Sequence, residues 1–351
     1  MPVSATDREA AVRAAFAEQA EWCDRLGSPL TAMLCRLLGE RLDRKTELGR
    51  RVLDWPGDPR PSADGLALRL CGGLHALVRR GAAPALAVCY PPHPVPGPEA
   101  LWDAIAPVTE GDALLPWLDS APQTNEVGRS ALLYAGLLAV AERFPQPMAL
   151  FELGASAGLN LILDRYGYDY AGAARGETGS PLQLRPQCTG APPPAADVKV
   201  ARREGVDLHP MDPRADAERL IAYVWPDQAQ RLAQLETALA LAAAPPPRLD
   251  TGDAAAWTET RMFDAPEPGV TRVVLHSVAF QYFHPETQAR VAAAIEAAGA
   301  SAGEETPVAW LRYERLPEEA DFTLRLRLWP DGEDRLLARG HAHGRWAEWL
   351  A

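Results

Sequence analysis

Apolar residues between positions 6 and 53 recur at helical intervals, as in Ala14, Phe16, Ala20 and Trp22 and again in Leu30, Met33, Leu34, Leu37 and Leu38, with Ser28-Pro29 marking a break. The pattern predicts two or three helices. Residues 54–61 are polar and rich in proline and glycine and read as a loop, after which residues 66–80 resume the helical spacing. Residues 85–90 look like a strand. Five prolines from position 91 to position 98 remove backbone donors and fix φ, so that stretch is a surface connector, and residues 99–118 return as short helices. Residues 127–144 form a further helix with Thr124 or Asn125 as its N-cap.

From residue 148 the pattern becomes an alternation of strands and helices. Met148-Ala-Leu-Phe-Glu152-Leu-Gly154-Ala-Ser156-Ala-Gly158 reads as a strand, then a tight loop, and residue 159 onward reads as a helix. Residues 166–170 and 182–185 are short strands, residues 198–208 a longer one, and residues 249–253 the end of another. Residues 270–279 are a fully buried type of strand, and residues 307–315 a strand after the helix at 286–298. Residues 216–241 are helical except at Trp225-Pro226. There Pro226 opens a new helix, Trp225 packs as a staple and Arg231 pairs with Asp227 one turn away. Residues 322–328 and 335–341 make a hairpin closed by Pro330-Asp331-Gly332. Strands alternating with helices imply a mostly parallel sheet, to which the hairpin adds antiparallel strands.

Composition narrows the chemistry. A formal charge of -12 with no Lys/Arg-rich block argues against a nucleic-acid surface and favours a small-molecule partner. Five cysteines scattered without C-x-x-C spacing fit reduced thiols in the cytoplasm, and no segment has the length and hydrophobicity of a membrane span or signal peptide. His341-Ala-His343 is a possible metal fragment, but without a third ligand it reads as a hydrogen-bonded pair, so no metal is expected. Oligomeric state is left open.

The glycine loop supports two enzymes. A strand, a glycine loop and a helix suit a nucleotide-like cofactor, since glycine lets a ligand approach the backbone and a helix start offers unpaired N–H groups. Gly154-Ala-Ser156-Ala-Gly158 also spells the G-x-S-x-G elbow of α/β-hydrolases, where Ser156 would need an acid and a base, Asp253 with His276, His341 or His343. The preceding region is mostly helical, however, and a hydrolase sheet would lack its first half. A nicotinamide dinucleotide is not indicated, because nothing marks a second mononucleotide half.

Glu152, Gly154, Ser156 and Gly158 together resemble the acidic strand end and glycine loop of class I S-adenosylmethionine-dependent methyltransferases, with Ser156 replacing the middle glycine. The resemblance implies that Glu152 helps hold the amino-acid end of the cofactor and that the loop backbone, with Asn160, lies close to it. In Gly205-Val-Asp207-Leu-His-Pro210, Asp207 would bind the ribose hydroxyls. Its distance along the chain requires an insertion at about residues 165–197 and leaves Asp169 as a rival. Asp253 would lie near the adenine, and His276 and Tyr282 would act as base or orienting groups beside the transferred methyl. Asn125 and Arg129 would contact substrate. The chain as a whole resembles a bacterial family known as domain of unknown function 2332, on Thr124-Asn-Glu-Val-Gly-Arg129, residues 152–160, Asp164-Arg-Tyr166, residues 205–212, Val224-Trp-Pro-Asp-Gln228, His276-Ser-Val278 and His343-Gly-Arg-Trp346. That family brings no reaction, only the expectation of a methyltransferase-like fold.

The reading is therefore an α/β protein. An N-terminal helical domain (1–120) partly covers the cleft of a Rossmann-like methyltransferase-type domain (121–351), with S-adenosylmethionine as cofactor and a small molecule as substrate. Serine hydrolysis through Ser156, and a non-catalytic binding module of the same fold, are the alternatives.

Overall fold

The computed structural model describes residues 5–316 and 319–351. The chain divides into two compact units, Met1–Thr124 with Ala217–Ala233, and Asn125–Asp216 with Gln234–Ala351.

The first unit is helical. The apolar stripes seen in the sequence become α1 (Ala5–Arg25), α2 (Pro29–Arg41), α3 (Glu47–Leu53), α4 (Leu66–Arg79), the single turn α5 (Pro84–Ala87) and α6 (Pro98–Glu110). Their buried faces meet in one core, with Phe16, Leu34, Leu38, Leu70 and Leu101 fully enclosed. The strand expected at residues 85–90 is instead α5 and a following turn: Pro84 supplies a helical φ at the first position, and Leu86 and Ala87 both donate to the Ala83 carbonyl.

The second unit begins with α7 (Ser130–Arg143) and β1 (Met148–Leu153). After the glycine loop, β2 (Gly167–Tyr170), β3 (Ala173–Gly176) and β4 (Gln183–Leu184) form a small sheet of their own. The short β5 (Gln187–Thr189) and then β6 (Val200–Asp207) return to the main sheet. The chain then passes through α8 (Ala217–Ala222) and the start of α9 (Ala229–Ala242), which belong to the first unit, and continues in the second with β7 (Arg248–Thr251), α10 (Ala254–Phe263), β8 (Thr271–Ser277), α11 (Pro285–Ala300) and β9 (Val308–Glu314). The chain ends in a meander of β10 (Phe322–Trp329), β11 (Asp334–Gly340) and β12 (Trp346–Trp349).

Within the first unit, the segment at Trp225-Pro226 departs from expectation. The helix starts at Ala229 rather than Pro226, because Asp227 is committed elsewhere: its carboxylate accepts from Ser28 Oγ and from Leu30 N at 2.9 Å. Asp227 thus caps α2 from a distance in sequence, and Gln228 Nε2 donates to the Leu26 carbonyl at 3.0 Å.

The nine-stranded sheet runs β5-β12-β11-β10-β9-β8-β1-β6-β7. The pairs from β9 through β7 are all parallel, and those from β9 to β12 are antiparallel. β1 and β8 are buried along their whole length, as strands covered on both faces must be, which explains their unbroken apolar runs. The connection after β1 leads to β6 on one side, and the one after β8 leads to β9 on the other. The carboxyl ends of β1 and β8 therefore flank the point where the winding reverses, the usual place for ligands in open α/β sheets. The protein is a mixed α/β protein with a large, mostly parallel sheet.

Candidate functional site

The glycine loop lies after β1 at this reversal point. Gly154 and Gly158 hold φ of +67° and +70°, where a side chain is strained. The close approach they permit is made by protein: a Cβ at Gly154 would lie 2.6 Å from the Ala279 Cβ, and one at Gly158 2.6 Å from Pro247 Cγ. Beyond the loop the chain forms a 3-10 segment, Leu159–Arg165, with a kink at Ile162, rather than the expected α-helix. A seven-residue kinked turn has no helix dipole of consequence, so no anion site of that kind exists here.

Each backbone N–H of the loop is already engaged. Gly154 and Ala155 donate to the Val206 carbonyl at 2.9 and 3.1 Å, and Gly158 to the Ala155 carbonyl at 2.7 Å. Ser156 N donates to Asp207 Oδ2 at 2.9 Å. Ala157 and Leu159 both donate to Asn125 Oδ1, at 3.2 and 2.9 Å. Asn125 thus holds the loop instead of capping the next helix, a role taken by Glu126, whose side chain accepts from Gly128 N. A loop with no free N–H group offers a phosphate nothing to bind.

Asp207, at the end of β6, is brought beside the loop because β1 and β6 are parallel neighbours with Leu153 opposite Val206. The long separation in sequence is taken up by residues 159–199, including the small sheet. Besides Ser156 N, its half-buried carboxylate accepts from His209 N at 2.9 Å. Asp169 lies in β2, where it accepts from Gly172 N in a turn. Gly252 N donates to the Asp207 carbonyl at 3.0 Å, tying the end of β7 to the same place. Asp253 beside it is exposed and caps α10 through Ala256 N.

Glu152 is 1% exposed and bound at Oε1 by Asn160 Nδ2 at 2.9 Å, while Asn160 Oδ1 accepts from Ser130 Oγ at 2.8 Å. Its Oε2 is buried with no partner among the described residues. Burial pushes the Glu152 carboxyl up to about 8; the Asn160 hydrogen bond opposes this and the Asp207 charge adds to it.

At the end of β8, His276 is fully enclosed. Trp310 Nε1 donates to its Nε2 at 3.1 Å, and its Nδ1 meets Glu314 Oε1 at 2.7 Å. An indole N–H only donates, so Nε2 accepts and the proton sits on Nδ1. Both ring nitrogens are occupied, leaving neither free to take a proton. Glu314, at the end of β9, also accepts from Ala279 N and Phe280 N, each at 3.1 Å. Sequence reading missed this residue, since a lone glutamate after a strand carries no motif. Tyr282 lies in a 3-10 turn, 56% exposed. Arg129 reaches across from the start of α7, with Nε on the Ala342 carbonyl at 2.8 Å and Nη1 on the Ser277 carbonyl at 3.2 Å. Burial lowers its pKa, and it makes no ion pair among the described residues.

The structure therefore gathers Asn125, Glu152, Gly154, Ser156, Gly158, Asn160 and Asp207 into one hydrogen-bonded assembly, with Asp253 adjoining through Gly252 and Ala279 of the β8 turn against Gly154. The elbow geometry lacks a base, because Ser156 Oγ is buried without any hydrogen-bond partner among the described residues. His341 and His343 lie in the turn after β11, their rings 5.3 Å apart, and among the described residues no group of three His, Cys, Asp or Glu is placed to hold a metal. Nor is any described helix long and apolar enough to cross a membrane.

The chain belongs to the DUF2332 family, described as uncharacterized protein conserved in bacteria, whose model matches residues 13–349. No curated protein matches it.

Proposed function

We propose that the carboxyl ends of β1, β6, β7 and β8 bind S-adenosylmethionine and that the protein transfers its methyl group to a small molecule. Numbered along the chain, the parallel strands stand in the order third, second, first, fourth, fifth, the arrangement of doubly wound nucleotide-binding sheets, which supports a Rossmann-like methyltransferase reading. The observation that carries it is Asp207, an acid at the end of the second strand, bonded to a loop whose N–H groups are all used. That pairing fits a ligand with a diol and no phosphate. An adenosyl sulfonium compound has both properties; a dinucleotide or nucleoside triphosphate does not.

When bound, the cofactor supplies a methyl group already made electrophilic by its sulfonium, so the protein's share is alignment and exclusion of water. Asp207 accepts the ribose hydroxyls. Glu152 Oε2, buried and unpartnered among the described residues, accepts the ammonium of the amino-acid end, and Asn160 with Ser130 fixes its orientation. Asn125 keeps the loop in shape by binding two of its N–H groups.

Calorimetric titration with S-adenosylhomocysteine tests the reading. Micromolar binding, weakened at least about tenfold in Asp207→Asn, is expected for a lost charge-assisted hydrogen bond. Absence of binding at millimolar ligand would sink it.

A further inference from the structure

We propose that Glu314 and the aromatic rings beside it recognise the methyl acceptor, and that this acceptor is a small organic amine. The inference rests on the methyl-transfer reading and names its substrate class. Glu314 stands at the carboxyl end of β9, next to the end of β8 and on the rim where the winding reverses. Its Oε1 takes three donors, His276 Nδ1, Ala279 N and Phe280 N. Its Oε2 is buried and has no partner among the described residues.

Among the described residues the charge has no cation in contact with it. The ion-pair neighbour of Glu314 is His276, which is neutral because Trp310 donates to its other nitrogen. Arg129 feels the charge only from beyond ion-pair distance, its Nε and Nη1 donating to carbonyls instead. Buried carboxylates are almost always paired with a cation, so this one is set up to receive one. The surrounding surface suits an ammonium group. Phe280 stacks on His276 with ring centres 4.7 Å apart and leans on Phe283 and Trp310 at 5.6 and 6.1 Å. Phe280 and Phe283 are both partly exposed, and aromatic faces attract cations. An anionic acceptor would be repelled here, and an alcohol would gain neither the charge nor the ring attraction.

The test titrates 2-phenylethylamine and butylamine, with 2-phenylethanol and butanol as neutral counterparts, into the whole protein with and without saturating S-adenosylhomocysteine. At least one amine is expected to bind about tenfold more tightly than its alcohol, and Glu314→Gln to erase that preference. Should Glu314→Gln fail to fold, Phe280→Ala keeps the carboxylate and all three of its donors, and is expected to weaken amine binding at least about threefold. Equal binding of amine and alcohol, no binding of either, a preference surviving Glu314→Gln, or unchanged affinity in Phe280→Ala would each overturn the proposal. If the amine preference persists while S-adenosylhomocysteine does not bind, the methyl-transfer reading fails and the amine site stands.

Discussion

Replacing Glu152 with glutamine should make the protein more stable, and increasingly so as pH rises. The carboxyl is 1% exposed and pushed by burial from an ordinary 4.5 up to about 8, so the folded state holds its proton more tightly than the unfolded chain does. The stabilisation from that bound proton is fully present below pH 4.5 and is lost as pH rises through about 8. Between about pH 5 and about pH 8.5 the linkage amounts to roughly 4 kcal/mol, an order-of-magnitude figure at about 1.36 kcal/mol per pH unit. Glutamine keeps an acceptor for Asn160 Nδ2 and carries no charge to bury. Guanidinium denaturation of both proteins at about pH 5, 7 and 8.5 reads the effect, and taking the difference cancels every other titrating group. The two stability curves should separate by several kcal/mol at high pH and lie within about 1 kcal/mol of each other at about pH 5. Parallel curves would refute the reasoning, because they would mean that Glu152 is not a buried, nearly unpaired carboxyl.

Asn125→Ala strands the N–H groups of Ala157 and Leu159 in the interior and should cost about 2–5 kcal/mol in chemical denaturation, with Asn125→Asp recovering most of it. Asp227→Ala removes the acceptor that caps α2 and should cost about 1–2 kcal/mol by the same measurement. If the cofactor's ammonium meets Glu152, the carboxyl ionises on binding, so at about pH 7 S-adenosylhomocysteine should release close to one proton. Calorimetry in buffers of different ionisation enthalpy measures this directly, and a heat independent of buffer contradicts it.

Periodicity sufficed wherever a segment's fate was decided by its own apolar pattern. The unbroken runs at 148–153 and 271–277 are buried central strands, and the alternation at 322–329 and 334–340 is a hairpin. Reading failed where a distant partner decides. Asp227 is held by Ser28 and Leu30, so the helix starts at Ala229 and not at Pro226. β5 exists because residues 187–189 find β12 at the other end of the chain, a pairing with no local signal. The loop glycines were legible as conformational requirements, but their close contacts with Ala279 and Pro247 were not. Asp207 was marked by its place after an apolar run. Only the parallel register of β6 with β1 separates it from Asp169, and Glu314 owes its interest entirely to what surrounds it.

Asp207 and the saturated glycine loop should receive an adenosyl compound without phosphate, and a crystal structure of the protein grown with S-adenosylhomocysteine tests this most directly. We predict ribose hydroxyls within hydrogen-bond distance of the Asp207 carboxylate, with the six loop N–H groups still bonded to their present acceptors. A ligand bound elsewhere, or a loop that turns its N–H groups toward the ligand, would contradict it.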